Sequence, residues 1–158
     1  ESVMPVNLNK LLRDVLSIST QRLLAEGIVV EWQPALDLPT VLGHVGRLRS
    51  MFKHLLANAM EAMTNNRTER ELRIRTSSDA EMITVVIEDT GPGIPESLRL
   101  KVFEPFFTTK KSARRTGMGL AAVQEIVNIH TGTIRIDPEY RQGSRFIVQF
   151  PTAHFRKI

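Results

Sequence analysis

Leu8, Leu11, Leu12, Val15, Leu16, Leu23 and Leu24 recur mostly three or four positions apart. That spacing predicts a first helix, capped at its start by Asn7 and stopped by Gly27. "IVVEWQ", Ile28 to Gln33, has the composition of a strand, and "PALDLP", with a proline at each end, reads as a loop. A second helix is expected from about Val45 to Asn65, with Leu48, Met51, Phe52, Leu55, Ala59, Ala62 and Met63 as its apolar stripe. Residues 70–78 alternate in part, residues 82–89 are rich in β-branched side chains, and together they predict an antiparallel hairpin across "SDAE". "ESLRLKVF" then suggests a short helical turn and "EPFFTTKKSARRT" irregular chain. A third helix is expected over Gly119 to His130, before two closing strands, "GTIRID" and "SRFIVQF", around a turn containing Gly143.

Bulk composition narrows the class. A chain of 158 residues, 42% hydrophobic and 24% charged, is sized for one domain, residues 1–158, with one real core. No apolar run approaches the ~20 residues of a membrane span. Cysteine is absent, which excludes disulfides and thiolate metal sites and suits the cytoplasm. The opening residue is Glu1, so a fragment of a longer regulatory protein is expected. The net charge of +4 raises the question of nucleic acid, but the basic residues are scattered and lack an aromatic stacking motif. The tightest group, "KKSARR" from Lys110 to Arg115, suits a bound nucleotide equally well, and no direct nucleic-acid contact is expected.

Three stretches carry candidate chemistry. In the second helix His54, Asn58 and Glu61 lie at i, i+4 and i+7 and share a face. An asparagine carbonyl oxygen is a hard ligand suited to magnesium, although a lone helical asparagine is more often a satisfied or solvated amide. "IEDTGPGIP", Ile87 to Pro95, runs a strand straight into an acid, two glycines and two prolines, which makes a tight, stiff loop open to close approach. "TGMGLAAVQEIV", Thr116 to Val127, opens a helix with glycines, leaving backbone N–H groups available to an anion. Neither a Walker loop nor the dinucleotide-binding glycine pattern is present.

Taken in order, "HLLANAMEAM", "EDTGPGIP", "FEPFFTTK" and "TGMGLAAVQEIVNIHTGTI" resemble the N box, first glycine box, F box and second glycine box of the ATP-binding domain of sensor histidine kinases. That domain belongs with gyrase, Hsp90 and MutL in the GHKL superfamily, and the resemblance runs from about Leu8 to Pro151. It implies an α/β (α+β) two-layer sandwich, the Bergerat fold, whose mixed, mainly antiparallel sheet is covered on one face by three helices. The implied ligand is ADP or ATP with magnesium (Mg2+). By the same resemblance Asp89 accepts a hydrogen bond from the adenine amino group, Gly91 and Gly93 wrap the base, and Ser144 helps hold a water on it. Asn58 takes magnesium, and Gly117, Gly119 and Leu120 lie on the phosphate side. Apart from the resemblance, the charges of Lys110 and Arg114 in a short lid are able to pair with phosphate oxygens if the lid folds inward. The short lid is similar to that of nitrogen-regulatory kinases of the NtrB type.

Some positions depart from the pattern. His54 stands where many of these kinases have an asparagine, Glu61 where some have a phosphate-contacting lysine, and Arg114 and Arg115 where glycines are common. None of His44, His54, His130 and His154 has the acidic residue after it that usually marks a phosphoacceptor. The leading expectation is an adenine-nucleotide sensor with weak or no phosphotransfer. It would act with the dimerisation or phosphoacceptor-like region of its parent and with a NifA-like transcriptional activator or a response regulator. The alternatives are the catalytic domain of an active kinase whose phosphoacceptor lies elsewhere, and a GHKL ATPase with His54 as its catalytic base.

Overall fold

The computed structural model describes residues 2–104 and 119–154. Lys110, Arg114 and Gly117 lie outside the described residues. The chain begins with strand β1 (Met4–Val6) and helix α1 (Leu8–Ala25). As expected, the Asn7 side chain caps α1 by accepting the Lys10 N–H at 3.1 Å. At the other end Gly27 takes a φ of +67° while Ile28 N–H bonds to Leu23 O and Gly27 N–H to Leu24 O, the paired closure of a Schellman motif. Strands β2 (Val29–Gln33) and β3 (Val41–Gly43) follow, then helix α2 (Val45–Ala62).

The hairpin forms as β4 (Glu71–Ser78) and β5 (Met82–Asp89). Beyond it come two short 3-10 turns, Glu96–Leu98 and Lys101–Phe103, then helix α3 (Leu120–Ile129) and strands β6 (Thr133–Ile136) and β7 (Arg145–Pro151). The main sheet has the order β2-β4-β5-β7-β6; β2 runs parallel to β4 and every other pair is antiparallel. β1 and β3 form a separate antiparallel ribbon that the sequence pattern did not announce, because three-residue strands are too short to show a period.

Register decides which side chains meet the helices. Leu72 pairs with Asp89, Ile74 and Phe146 with Ile87, and Val148 with Val85, so these residues share one face. They join Leu8, Leu12 and Val15 of α1, Leu48, Phe52 and Leu55 of α2, and Val123 and Val127 of α3 in a single core. The opposite face carries Arg73, Arg75, Glu88 and Arg145. Asp89 is therefore delivered to the helix-covered side as the last residue of its strand.

Two corrections concern α2. Leu56 and Met60 are buried as well, which widens the stripe, because α2 packs against both α1 and α3. The helix also stops at Ala62, three residues before Asn65. Arg70 accounts for that end: its guanidinium donates to Thr64 O at 2.9 Å and Asn66 O at 3.0 Å, and it reaches Glu26 O, just past α1, at 2.7 Å. One side chain thus fixes the exits of two helices. Arg70→Ala is expected to lower stability by about 2–3 kcal/mol in urea unfolding, since it orphans several carbonyls at once.

Candidate functional site

Asp89 is 3% exposed. Its Oδ1 accepts the backbone N–H groups of Gly91 at 2.9 Å and Ser144 at 3.3 Å, while its own N–H donates to Ser144 O at 3.0 Å. Among the described residues Oδ2 has no protein partner. Burial raises the carboxyl pKa to about 6, opposed by the two backbone hydrogen bonds. At neutral pH the group is an ionised acceptor in a desolvated niche, with one oxygen uncommitted.

Glycines shape that niche. Gly93 adopts a φ of +80°, a conformation that strains any side chain with a Cβ. At Gly143 a Cβ would lie 2.0 Å from Asp89 O, and at Gly91 it would lie 2.8 Å from Ala62 O. The first contact seats the β6–β7 turn on Asp89. The second presses the loop against the end of α2, one turn beyond Asn58. Asn66 completes the joint by donating to Thr90 O at 2.7 Å.

Behind the site lies a charged brace that sequence reasoning missed. Glu88, buried on the open face, accepts from Arg75 at 2.8 Å and Arg145 at 2.6 Å, and Arg145 also meets Asp137 at 2.9 Å. The Arg145 guanidinium sits 4.4 Å from the centre of the Tyr140 ring, and the Tyr140 hydroxyl donates to Asp89 O at 3.3 Å. Tyr140 is separated from Asp89 by 51 positions, so no local pattern could have exposed it.

On α2, His54, Asn58 and Glu61 are all half-buried on the expected face. The Asn58 amide has no hydrogen-bond partner among the described residues, which leaves it to solvent or to a ligand. Burial, and secondarily the neighbouring Lys53 charge, lowers the pKa of His54 and keeps it neutral at pH 7. Both Glu61 carboxylate oxygens are shielded from solvent and have no hydrogen-bond partner among the described residues, and the same holds for Thr64 Oγ1. Gly119 caps α3 without a side-chain bond, and among the described residues Ala122 N–H alone returns to its carbonyl, at 3.1 Å. Among the described residues the N–H groups of Leu120 and Ala121 are left for a ligand or water. The Leu120 side chain is partly buried and packs on the core.

The described residues contain no group of three histidine, cysteine or acidic side chains that could hold a metal alone. A cation here would complete its shell from phosphate oxygens and water, as magnesium does. A separate polar cleft of 630 Å³, lined by Asn66, Arg73, Thr90, Gly91 and Gln142 among others, adjoins the loop. Asp89, Asn58 and Ser144 do not line it.

Residues 43–154, more than half of the chain, match the family model of the histidine kinase-, DNA gyrase B- and HSP90-like ATPases. The chain belongs to this family. It is 31% identical over 146 residues to sporulation kinase A of Bacillus subtilis (strain 168), which covers 92% of this chain and 23% of that protein. The nucleotide-free catalytic domain of histidine kinase ThkA superposes with a TM-score of 0.85 at 26% identity, covering 96% of this chain and 97% of the other. ThkA in complex with the response regulator protein TrrA gives a TM-score of 0.81 at 26% identity, over 98% of this chain and 43% of that one.

The fold is therefore that of the GHKL histidine kinase catalytic domain, and the chain is an ATP-binding domain of that kind from the two-component class. It spans less than a quarter of the length of sporulation kinase A. Among the described residues no helix is long and apolar enough to cross a membrane.

Proposed function

We propose that residues 1–158 form one adenine-nucleotide-sensing module of a two-component-type regulator. Adenine lies against Asp89, and the phosphates lie between the N box and the start of α3. The observation that carries this is the buried Asp89 carboxylate, whose Oδ1 is held by two backbone N–H groups while Oδ2 remains open to an exocyclic amino donor. Gly91 and Gly93 wrap the base, and Ser144 stands beside it. Gly119, Leu120 and, outside the described residues, Lys110, Arg114 and Gly117 take the phosphates.

Magnesium fits the α2 face, because among the described residues the Asn58 amide has no hydrogen-bond partner and the Glu61 oxygens are shielded without one. When bound it would neutralise phosphate charge and orient the phosphates. Asn58 would hold it, and Asp89 would fix the base.

In this reading phosphotransfer is weak or absent and the nucleotide acts by favouring one conformation of the parent protein. The short lid suggests a regulator of the NtrB or NifL kind, with a NifA-like activator or a response regulator as partner. Such a regulator works in the cytoplasm. Adenine recognition is common to ADP and ATP, so it cannot separate them. ADP is expected to bind at least as tightly as ATP in magnesium; an ATP preference of about tenfold or more, roughly 1.4 kcal/mol, contradicts the sensor reading.

The kinship with named kinases favours a second reading, a catalytic domain that passes the ATP γ-phosphoryl to a histidine outside these residues. Labelled ATP separates the two. The chain alone is expected to gain no acid-labile phosphate: none of its four histidines has the acidic neighbour, and His130 is 1% exposed with its ring engaged by Ile126 O and His44 N–H. Labelling of a supplied dimerisation helix in trans would install the kinase reading. A neutral, half-buried His54 could also serve as the base of an ATPase, which steady hydrolysis by the isolated chain would reveal.

A further inference from the structure

We infer that Glu61 is a second protein anchor for the nucleotide-borne magnesium, acting beside Asn58 and making nucleotide binding depend on the metal. The inference rests on the adenine-nucleotide reading above and deepens it. Glu61 follows Asn58 by one helical turn on the same face of α2. Both of its carboxylate oxygens are shielded from solvent, and neither has a hydrogen-bond partner among the described residues. A shielded, unpaired carboxylate is costly to keep unless something supplies positive charge or donors. Neither Lys nor Arg forms an ion pair with it among the described residues.

The chemistry of the neighbours selects the partner. Asn58 offers a neutral amide oxygen on the same face, and the nucleotide offers phosphate oxygens. One carboxylate, one amide and phosphates make the hard, oxygen-rich and partly aqueous shell that magnesium prefers, with Glu61 bonded to the ion or to one of its waters. Without the cation the same carboxylate confronts phosphate as a like charge. Glu61 therefore opposes free nucleotide and favours the magnesium complex, a dependence set from both sides by one residue. The competing arrangement is an ordered water joining Glu61 to the equally unpaired Thr64 Oγ1.

Calorimetry of the 158-residue chain with ADP, in magnesium and in chelator, tests this on wild type, Glu61→Gln and Asn58→Ala. Glu61→Gln is expected to weaken binding of the magnesium complex and to strengthen binding of free ADP, shrinking the wild-type magnesium effect about tenfold. Manganese in place of magnesium gives a direct readout of the metal. Its electron paramagnetic resonance signal in the ADP complex should show weaker metal retention in Glu61→Gln and partial recovery in Glu61→Asp. A magnesium effect unchanged in Glu61→Gln but lost in Asn58→Ala overturns the role of Glu61 while leaving the N-box site standing. Equal weakening in both conditions identifies the water-bridged arrangement and also overturns it. Failure of the folded wild-type chain to bind ADP under either condition overturns the nucleotide reading itself.

Discussion

Asp89→Asn is expected to abolish adenine-nucleotide binding while leaving the protein folded and, at pH 7.5, more stable than the wild type. Asn Oδ1 can still accept the Gly91 and Ser144 N–H groups, so the loop keeps its anchor. The second position then presents an NH2 to the adenine amino group, donor against donor. The lost charge-assisted bond and the mismatch together cost at least about 3 kcal/mol of binding. Stability moves the other way. The folded pKa of about 6 lies above the ordinary 3.8, so between those values the folded state holds a proton that the unfolded state has released. Wild-type stability consequently falls as pH rises from 4 to 6, by an upper bound of about 3 kcal/mol, and the asparagine variant escapes that loss. Urea unfolding at pH 7.5 and pH 4 should show the gap between the two proteins closing at the lower pH. Binding of ADP by the variant at wild-type affinity would remove Asp89 from the site.

Gly143→Ala is expected to be among the most damaging single-methyl changes in the chain. The new Cβ would stand 2.0 Å from Asp89 O and 2.7 Å from Asp89 C, both backbone atoms of the central strand that cannot swing aside. Relief requires the β6–β7 turn to lift from β5, which removes the Ser144 N–H from Asp89 and pulls Tyr140 away from its carbonyl. Overpacking of this severity should cost about 3 kcal/mol or more. ADP affinity should fall at least about tenfold even where the variant remains folded, because the acceptor is displaced. Gly27→Ala supplies the contrast. Nothing lies within 4 Å of its Cβ, and only its φ of +67° is strained, so about 1 kcal/mol and no change in affinity are expected. Unfolding and calorimetry on both variants check the pair.

What could be read from the sequence was what local chemistry determines. The Asn7 cap, the Gly27 stop, the β4–β5 hairpin and the three helices follow from neighbours within a turn or two. The β1–β3 ribbon, by contrast, depends on pairing between Pro5 and Leu42. The early end of α2 depends on Arg70, which binds carbonyls just past the ends of two helices. At the site the order of motifs marked Asn58, Asp89, Gly91, Gly93, Gly119 and Ser144, and the fold places Asp89, Gly91, Gly93 and Ser144 in one joint. It could not reveal Gly143 as the seat of that joint, nor the brace of Glu88, Arg145 and Tyr140, because those contacts span more than fifty positions. Glu61 stood in sequence on a shared face with His54 and Asn58, where some relatives have a phosphate-contacting lysine; what the sequence could not reveal is that its oxygens are shielded and lack a hydrogen-bond partner among the described residues.

Whether the open oxygen of Asp89 reads the adenine amino group is decided by a titration comparing ADP with inosine diphosphate in magnesium. The two ligands share ribose, phosphates and ring shape, but inosine places a carbonyl oxygen where adenine places its NH2. ADP is expected to bind at least about a hundredfold more tightly, because the exchange both removes the donor and sets an oxygen against a buried carboxylate. Equal affinity for the two nucleotides would contradict it.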